Sequence, residues 1–158
     1  VKIMVINGVN MNMLGTREKD VYGENTLEDL YAYIRKNCAE TNTELSFFQS
    51  NHEGDIVDCL HKCFFENYDG VVINPAAHTH YSYAIRDAIK AIMLPVVEVH
   101  ISAIDKREEF RHVSVTAPVC KAQICGKGFD GYVMAVKMIV NGKIEDGKRR
   151  ERKRSAKT

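Results

Sequence analysis

The chain has no tryptophan and only three prolines in 158 residues. No apolar run approaches the roughly 20 residues a membrane-spanning helix needs, and the opening residues show no signal-peptide pattern. Cysteine is scarce and odd in number: five residues, with no Cys-x-x-Cys pair and no disulfide-framework spacing. Cys59 and Cys63 stand one helical turn apart, which suits packing better than metal ligation. These absences point to a reducing, cytoplasmic compartment. Phosphate-loop patterns are missing as well. There is no G-x-x-x-x-G-K run, and no G-x-G-x-x-G fingerprint follows the first strand-like segment. Gly126-x-Gly128-x-x-Gly131 has that spacing but follows the last strand, with no further strand to complete a βαβ unit. A receiver-type domain would place acidic residues after the first strand, where this chain has asparagines.

What is present is an ordinary globular composition, 45% hydrophobic and 27% charged, long enough for one domain with a real core. The net charge of +1 conceals an asymmetry: residues 143–158 hold eight Lys/Arg against three acids, net +5, leaving −4 on residues 1–142. The basic segment lacks apolar periodicity and reads as a disordered, solvated tail outside the 1–142 domain. A nucleic-acid role is disfavoured because aromatics for base stacking are absent there.

Strand-like runs alternate with helical patterns from end to end. Lys2–Ile6, Glu44–Gln49, Gly70–Asn74, Val96–Val99 and about Val119–Cys125 read as five strands. Thr26-x-x-Asp29 has the form of a capping box opening a helix with Leu27, Leu30, Tyr31, Ile34 and Cys38 on one face. Ile56 to Phe64 marks a second helix, ending near Asn67, and Ala84 to Ile92 a third, stopped by Pro95. A last helix carries Tyr132, Ala135, Val136, Ile139 and Val140 and is expected to end at Asn141-Gly142. This alternation implies right-handed crossovers and an α/β, flavodoxin-like doubly wound parallel sheet covered on both faces. In that strand order the carboxyl ends of strands one, three and four share a crevice, the usual place for a ligand.

Polar residues gather at those ends. Asn7, Gly8 and Asn10 follow the first strand, and the long loop after them carries Arg17 and Tyr22. A guanidinium beside a phenol favours the phenolate, so Arg17 makes Tyr22 a candidate general base; the alternative is a loop-packing tyrosine beside a solvated arginine. In Glu98-Val99-His100 the two polar side chains share one strand face, so Glu98 can orient His100 for acid–base work. Ile101 and Ser102 then offer backbone N–H groups suited to a carboxylate or phosphate. A structural ion pair at the sheet edge fits that motif equally well. Asn74 leads a third stretch through His78 and His80 to Arg86-Asp87. His78-x-His80 could instead form a metal pair completed by His100 and Glu98, although the spacing is generic.

Taken together, Asn7-Gly8-x-Asn10-x-Asn12-x-Leu14-Gly15-x-Arg17-Glu18-x-x-x-Tyr22-Gly23 resembles the opening signature of the type II 3-dehydroquinate dehydratases. The resemblance continues through Gln49-Ser50-Asn51, Asn74-x-Ala76-Ala77-x-Thr79-His80-x-Ser82, Arg86-Asp87-Ala88 and Glu98-Val99-His100-Ile101-Ser102. It closes with Arg107-Glu108-Glu109-Phe110-Arg111 and Gly126-x-Gly128-x-x-Gly131-Tyr132, covering about residues 2–141. The resemblance implies dehydration of 3-dehydroquinate to 3-dehydroshikimate without metal or cofactor. It implies Tyr22 as base, Arg17 lowering its pKa, Asn10 stabilising an enolate, and His100 as acid oriented by Glu98. It also implies Asn74, His80 and Arg111 on substrate hydroxyls and the Ile101 and Ser102 amides on the carboxylate. Asp87 would reach a neighbouring subunit's site in a dodecamer built from trimers. The chain departs from the usual pattern at Val9 and Lys19, where proline is common, and at Tyr81, which replaces a smaller residue and is expected to narrow the pocket rim.

Overall fold

A computed structural model of the chain describes residues 1–16, 20 and 23–157. Five parallel strands form one sheet: β1 (Lys2–Asn7), β2 (Glu44–Gln49), β3 (Gly70–Asn74), β4 (Val96–His100) and β5 (Ala122–Cys125). Their spatial order is β2-β1-β3-β4-β5, the flavodoxin-like order expected from the alternation. Among the described residues, four helices cover the sheet: α1 (Leu27–Asn37), α2 (Glu53–Phe65), α3 (Tyr83–Ile92) and α4 (Asp130–Ser155).

Side-chain alternation along the strands sorts the core into two layers. Ile3, Val5, Val72, Val97 and Val99 meet α1 and α4, with the fully buried Tyr132 among them. Met4, Ile6, Val71, Ile73 and Val96 meet α2 and α3 on the other face. Cys59 and Cys63 are buried in this second layer, as packing residues. The capping box is formed as its sequence implies: Asp29 N donates to Thr26 Oγ1, and Thr26 N donates to an Asp29 carboxylate oxygen.

Several boundaries move by a residue or more, and three of these shifts bear on the site or the surface. β4 extends one residue to His100, which brings the whole Glu98–His100 pair into regular strand geometry. β5 begins at Ala122 rather than Val119, because Ala117–Val119 with Pro118 closes a 3-10 turn that cannot enter the ladder. The largest correction is at the C-terminus. α4 does not stop at Asn141-Gly142 but continues to Ser155, so residues 143–155 are helical rather than disordered. Gly142 stays out of the left-handed region that a glycine stop requires. A glycine inside a helix costs only about 1 kcal/mol, and the Lys, Arg and Glu that follow are strong helix formers. Lys143 also anchors the extension to the body through an ion pair of 2.9 Å with Asp69.

Candidate active site

The ends of β1, β3 and β4 border a pocket lined by Asn10, Asn74, His80, His100, Arg107 and Arg111, with Val9, Met11, Leu14 and Ile104 as its apolar wall. Close approach of β1 to β3 builds its floor. Gly8 N donates to Asn74 O at 2.8 Å, and a Cβ at Gly8 would sit 2.3 Å from Pro75 O. Only glycine fits there.

Asn10 follows in the left-handed region at φ 66°, and its N–H donates to Asn51 Oδ1 at 2.8 Å. Asn51 also accepts from Gln49, so the Gln49-Ser50-Asn51 stretch at the end of β2 holds the turn that presents Asn10. Asn74 is almost fully buried. Its Nδ2 donates to Tyr132 OH at 2.8 Å, and that hydroxyl donates onward to Asn7 Oδ1 at 2.6 Å. Burial pushes the Tyr132 phenol well above its ordinary pKa, so it serves as a neutral brace and not as a base.

His100 lines the pocket, and Glu98 is buried behind it. Glu98 is wholly buried and His100 nearly so, and Nε2 of His100 lies 3.0 Å from Oε2 of Glu98. Burial alone would raise the Glu98 carboxyl pKa. Hydrogen bonds from His100, Thr116 and Gln123, with the His100 charge, outweigh that effect and hold it at about 2. Thr79 Oγ1 donates to Glu98 Oε1 at 3.0 Å, Ser114 Oγ to Oε2 at 2.9 Å, and Gln123 Nε2 to Oε2 at 2.7 Å. Thr116 Oγ1 completes the set on Oε1. A carboxylate so heavily hydrogen-bonded stays ionised and does not accept a proton from the imidazole. With Nε2 engaged by Glu98, Nδ1 is the nitrogen left for chemistry.

His80 presents its ring at the pocket wall, with Nδ1 2.7 Å from Val113 O; burial lowers its pKa, so the neutral ring is favoured. Arg111 lies over the Phe110 ring, its guanidinium carbon 4.7 Å from the centroid, with Nε 3.5 Å from Glu108. Ile101 lines the pocket. Ser102 is half-buried beside it, outside the lining, and Asp87 lies on the exposed side of α3. Arg17, Tyr22 and Lys19 lie outside the described residues. Tyr81 does not narrow the pocket rim: it is exposed, and its hydroxyl is 2.9 Å from His78 Nδ1.

The metal alternative loses its ligand set. His78 is buried away from the pocket against Tyr81 and Glu53, while His80 faces the pocket. Among the described residues no three His, Cys, Asp or Glu side chains converge to hold an ion.

Sequence reasoning missed the cage around Glu98 and the Tyr132 brace. Thr79 and Tyr132 lay in the motifs without an assigned role. Ser114-x-Thr116 carried only a faint signal of two hydroxyls two residues apart. Gln123 was visible only through strand register, since it pairs directly with Glu98 across β4 and β5.

The profile of the family described as dehydroquinase class II matches residues 1–140. A 3-dehydroquinate dehydratase of Clostridium beijerinckii is 56% identical over 138 residues, which is 87% of this chain and 94% of that protein. The crystal structure of a type II dehydroquinase from Butyrivibrio crossotus superposes with a TM-score of 0.86 at 52% identity, over 88% of this chain and 97% of that one. The type II dehydroquinase of Propionibacterium acnes superposes at 0.84 with 38% identity, over 89% and 96%. The described residues include no helix long and apolar enough to cross a membrane. The chain belongs to the class II dehydroquinase family.

Proposed function

We propose that the chain dehydrates 3-dehydroquinate to 3-dehydroshikimate through an enolate, in aromatic biosynthesis or in quinate breakdown. The observation that carries this reading is the buried Glu98–His100 pair, with His100 lining a pocket walled by Asn10, Asn74, His80 and Arg111, in a member of this family. Tyr22, as phenolate, removes the C2 proton beside the ketone. Arg17 makes that phenolate accessible; lowering a phenol by ~3 units takes ~4 kcal/mol of differential stabilisation, which a closed, dry site can supply. Asn10 stabilises the enolate oxygen, directly or through a water. The enolate then collapses, the C–O bond to the departing hydroxyl breaks, and His100 Nδ1 delivers the proton that completes the water molecule. Glu98 holds the imidazolium in place and offsets its charge.

Asn74, His80 and Arg111 hold the substrate hydroxyls, and the Ile101 and Ser102 amides hold its carboxylate. Asp87, exposed on α3, reaches the site of a neighbouring subunit in a dodecamer built from trimers. The test is an ultraviolet assay for the conjugated enone, with purified chain and 3-dehydroquinate. Enone accumulation that His100→Ala lowers by about 10²-fold or more supports the reading. Absence of enone with the intact chain makes this a binding protein without catalysis.

A further inference from the structure

The helical extension of α4 beyond Gly142 is used by nothing in the site and lies outside the family match, which ends at residue 140. Every residue from 143 to 157 is exposed. Residues 148–154 carry six Lys/Arg against the single acid Glu151. At helical spacing, Lys148 and Arg152, Arg149 and Lys153, and Arg150 and Arg154 are three like-charge pairs one turn apart, each unfavourable to the helix. The macrodipole favours cations in the last turn, which accounts for Arg152 to Arg154 but not for the turn before. None of the six pairs with a carboxylate among the described residues. The extension nevertheless continues a helix that is buried against the sheet through Tyr132, Ala135, Val136, Ile139 and Val140. Its charge therefore fits an external polyanion.

The type of polyanion follows from the side chains. Ile144 is the one large apolar residue in 143–158, so the helix has no apolar face for a lipid surface. No aromatic follows Tyr132, so stacking on unpaired bases has no platform. At 3.6 residues per turn the six cations spread around all of the helix except the side of Glu151. A flat protein surface would touch one side of such a helix, whereas a duplex groove places phosphates on both sides. We propose that residues 143–155 form a basic helical arm that binds double-stranded nucleic acid through its phosphates, without reading sequence.

The test is fluorescence anisotropy of a labelled duplex DNA of about 20 base pairs and arbitrary sequence, titrated with the full chain at rising KCl. Neutralising about five phosphates predicts a log–log salt slope of about −4 to −5. The variant carrying Lys148→Gln, Arg149→Gln, Arg150→Gln, Arg152→Gln, Lys153→Gln and Arg154→Gln keeps a helix-forming segment. It is expected to bind at least about 100-fold more weakly with a slope near zero, with 3-dehydroquinate turnover unchanged. Equal duplex binding by the variant overturns the proposal. So does tighter binding of the full chain to a single strand of the same length, or to phosphatidylserine vesicles. A change in assembly mass of the variant by light scattering also overturns it, because the arm would then contact a second copy of the chain.

Discussion

His100 Nε2 lies 3.0 Å from Oε2 of Glu98, two residues earlier on the same strand and the same face. The carboxylate is wholly buried and held at about pKa 2, below its ordinary 4.5, by donors that outweigh its desolvation. That pairing fixes which imidazole nitrogen points to the pocket and keeps Glu98 from competing for the proton. The acid of the proposed reaction is thus prepared by residues that never touch the substrate.

Gln123 is the amide donor in that cage, 2.7 Å from Oε2. Gln123→Leu is expected to lower kcat about ten- to a hundredfold with KM little changed, the cost of losing one hydrogen bond to a charged group. Steady-state enone kinetics measure it; an unchanged kcat would show that Gln123 only fills space. The same cage sets an acid-stability profile. Because the folded pKa of Glu98 is depressed, its contribution is present above pH 4.5 and is lost as pH falls toward about 2. The Glu98→Gln variant is expected to lose less stability over that window, as read by circular dichroism melts at each pH.

Arg17→Ala should depress kcat by several orders of magnitude, roughly 10³-fold or more, since the proposed mechanism has Arg17 favouring the Tyr22 phenolate and helping to close the loop over the substrate. Wild-type kcat in that variant would place the base elsewhere.

Turnover should survive exhaustive chelation, because His78 and His80 face different surroundings and no third ligand joins them among the described residues. Loss of enone formation with EDTA, restored by added zinc, would establish a metal requirement.

Gly8→Ala is expected to cost both stability and activity. The added methyl would meet Pro75 O at 2.3 Å, forcing apart the strand ends that carry Asn10 and Asn74. An overpacked backbone contact of this kind costs about 1–3 kcal/mol. A melting temperature and kcat equal to the parent's would refute the close approach.

His78 is buried, and its Nε2 has no well-formed hydrogen bond among the described residues. Burial lowers its pKa, only partly countered by Glu53 and the nearby Asn51 backbone. A histidine kept neutral by the fold costs stability as pH falls below its ordinary 6.5. His78→Phe is therefore expected to raise Tm by a few degrees, more at pH 5 than at pH 8. A larger gain at pH 8 would mean the effect is packing alone.

Much of this molecule is legible in the order of its residues. The short apolar runs of Lys2–Ile6 and Gly70–Asn74 and the capping box at Thr26 depend on local sterics and short-range hydrogen bonds, which a sequence displays directly. Glu98 and His100 share a face for the same local reason. The end of α4 is not legible in that way, because Asn141-Gly142 has the composition of a helix stop, while the ion pair of Lys143 with Asp69 joins residues far apart in the chain.

By itself the sequence determined the strand–helix alternation, the polar residues at the ends of β1, β3 and β4, and the family signature. The tertiary structure alone decided what surrounds them. The Glu98 cage draws Thr79, the Ser114-x-Thr116 pair and Gln123 from three segments, and Tyr132 reaches Asn7 and Asn74 across 125 and 58 residues of chain. Such contacts depend on strand register and crossover geometry, and a buried charge or amide selects its partners from whatever the finished sheet brings within hydrogen-bond reach.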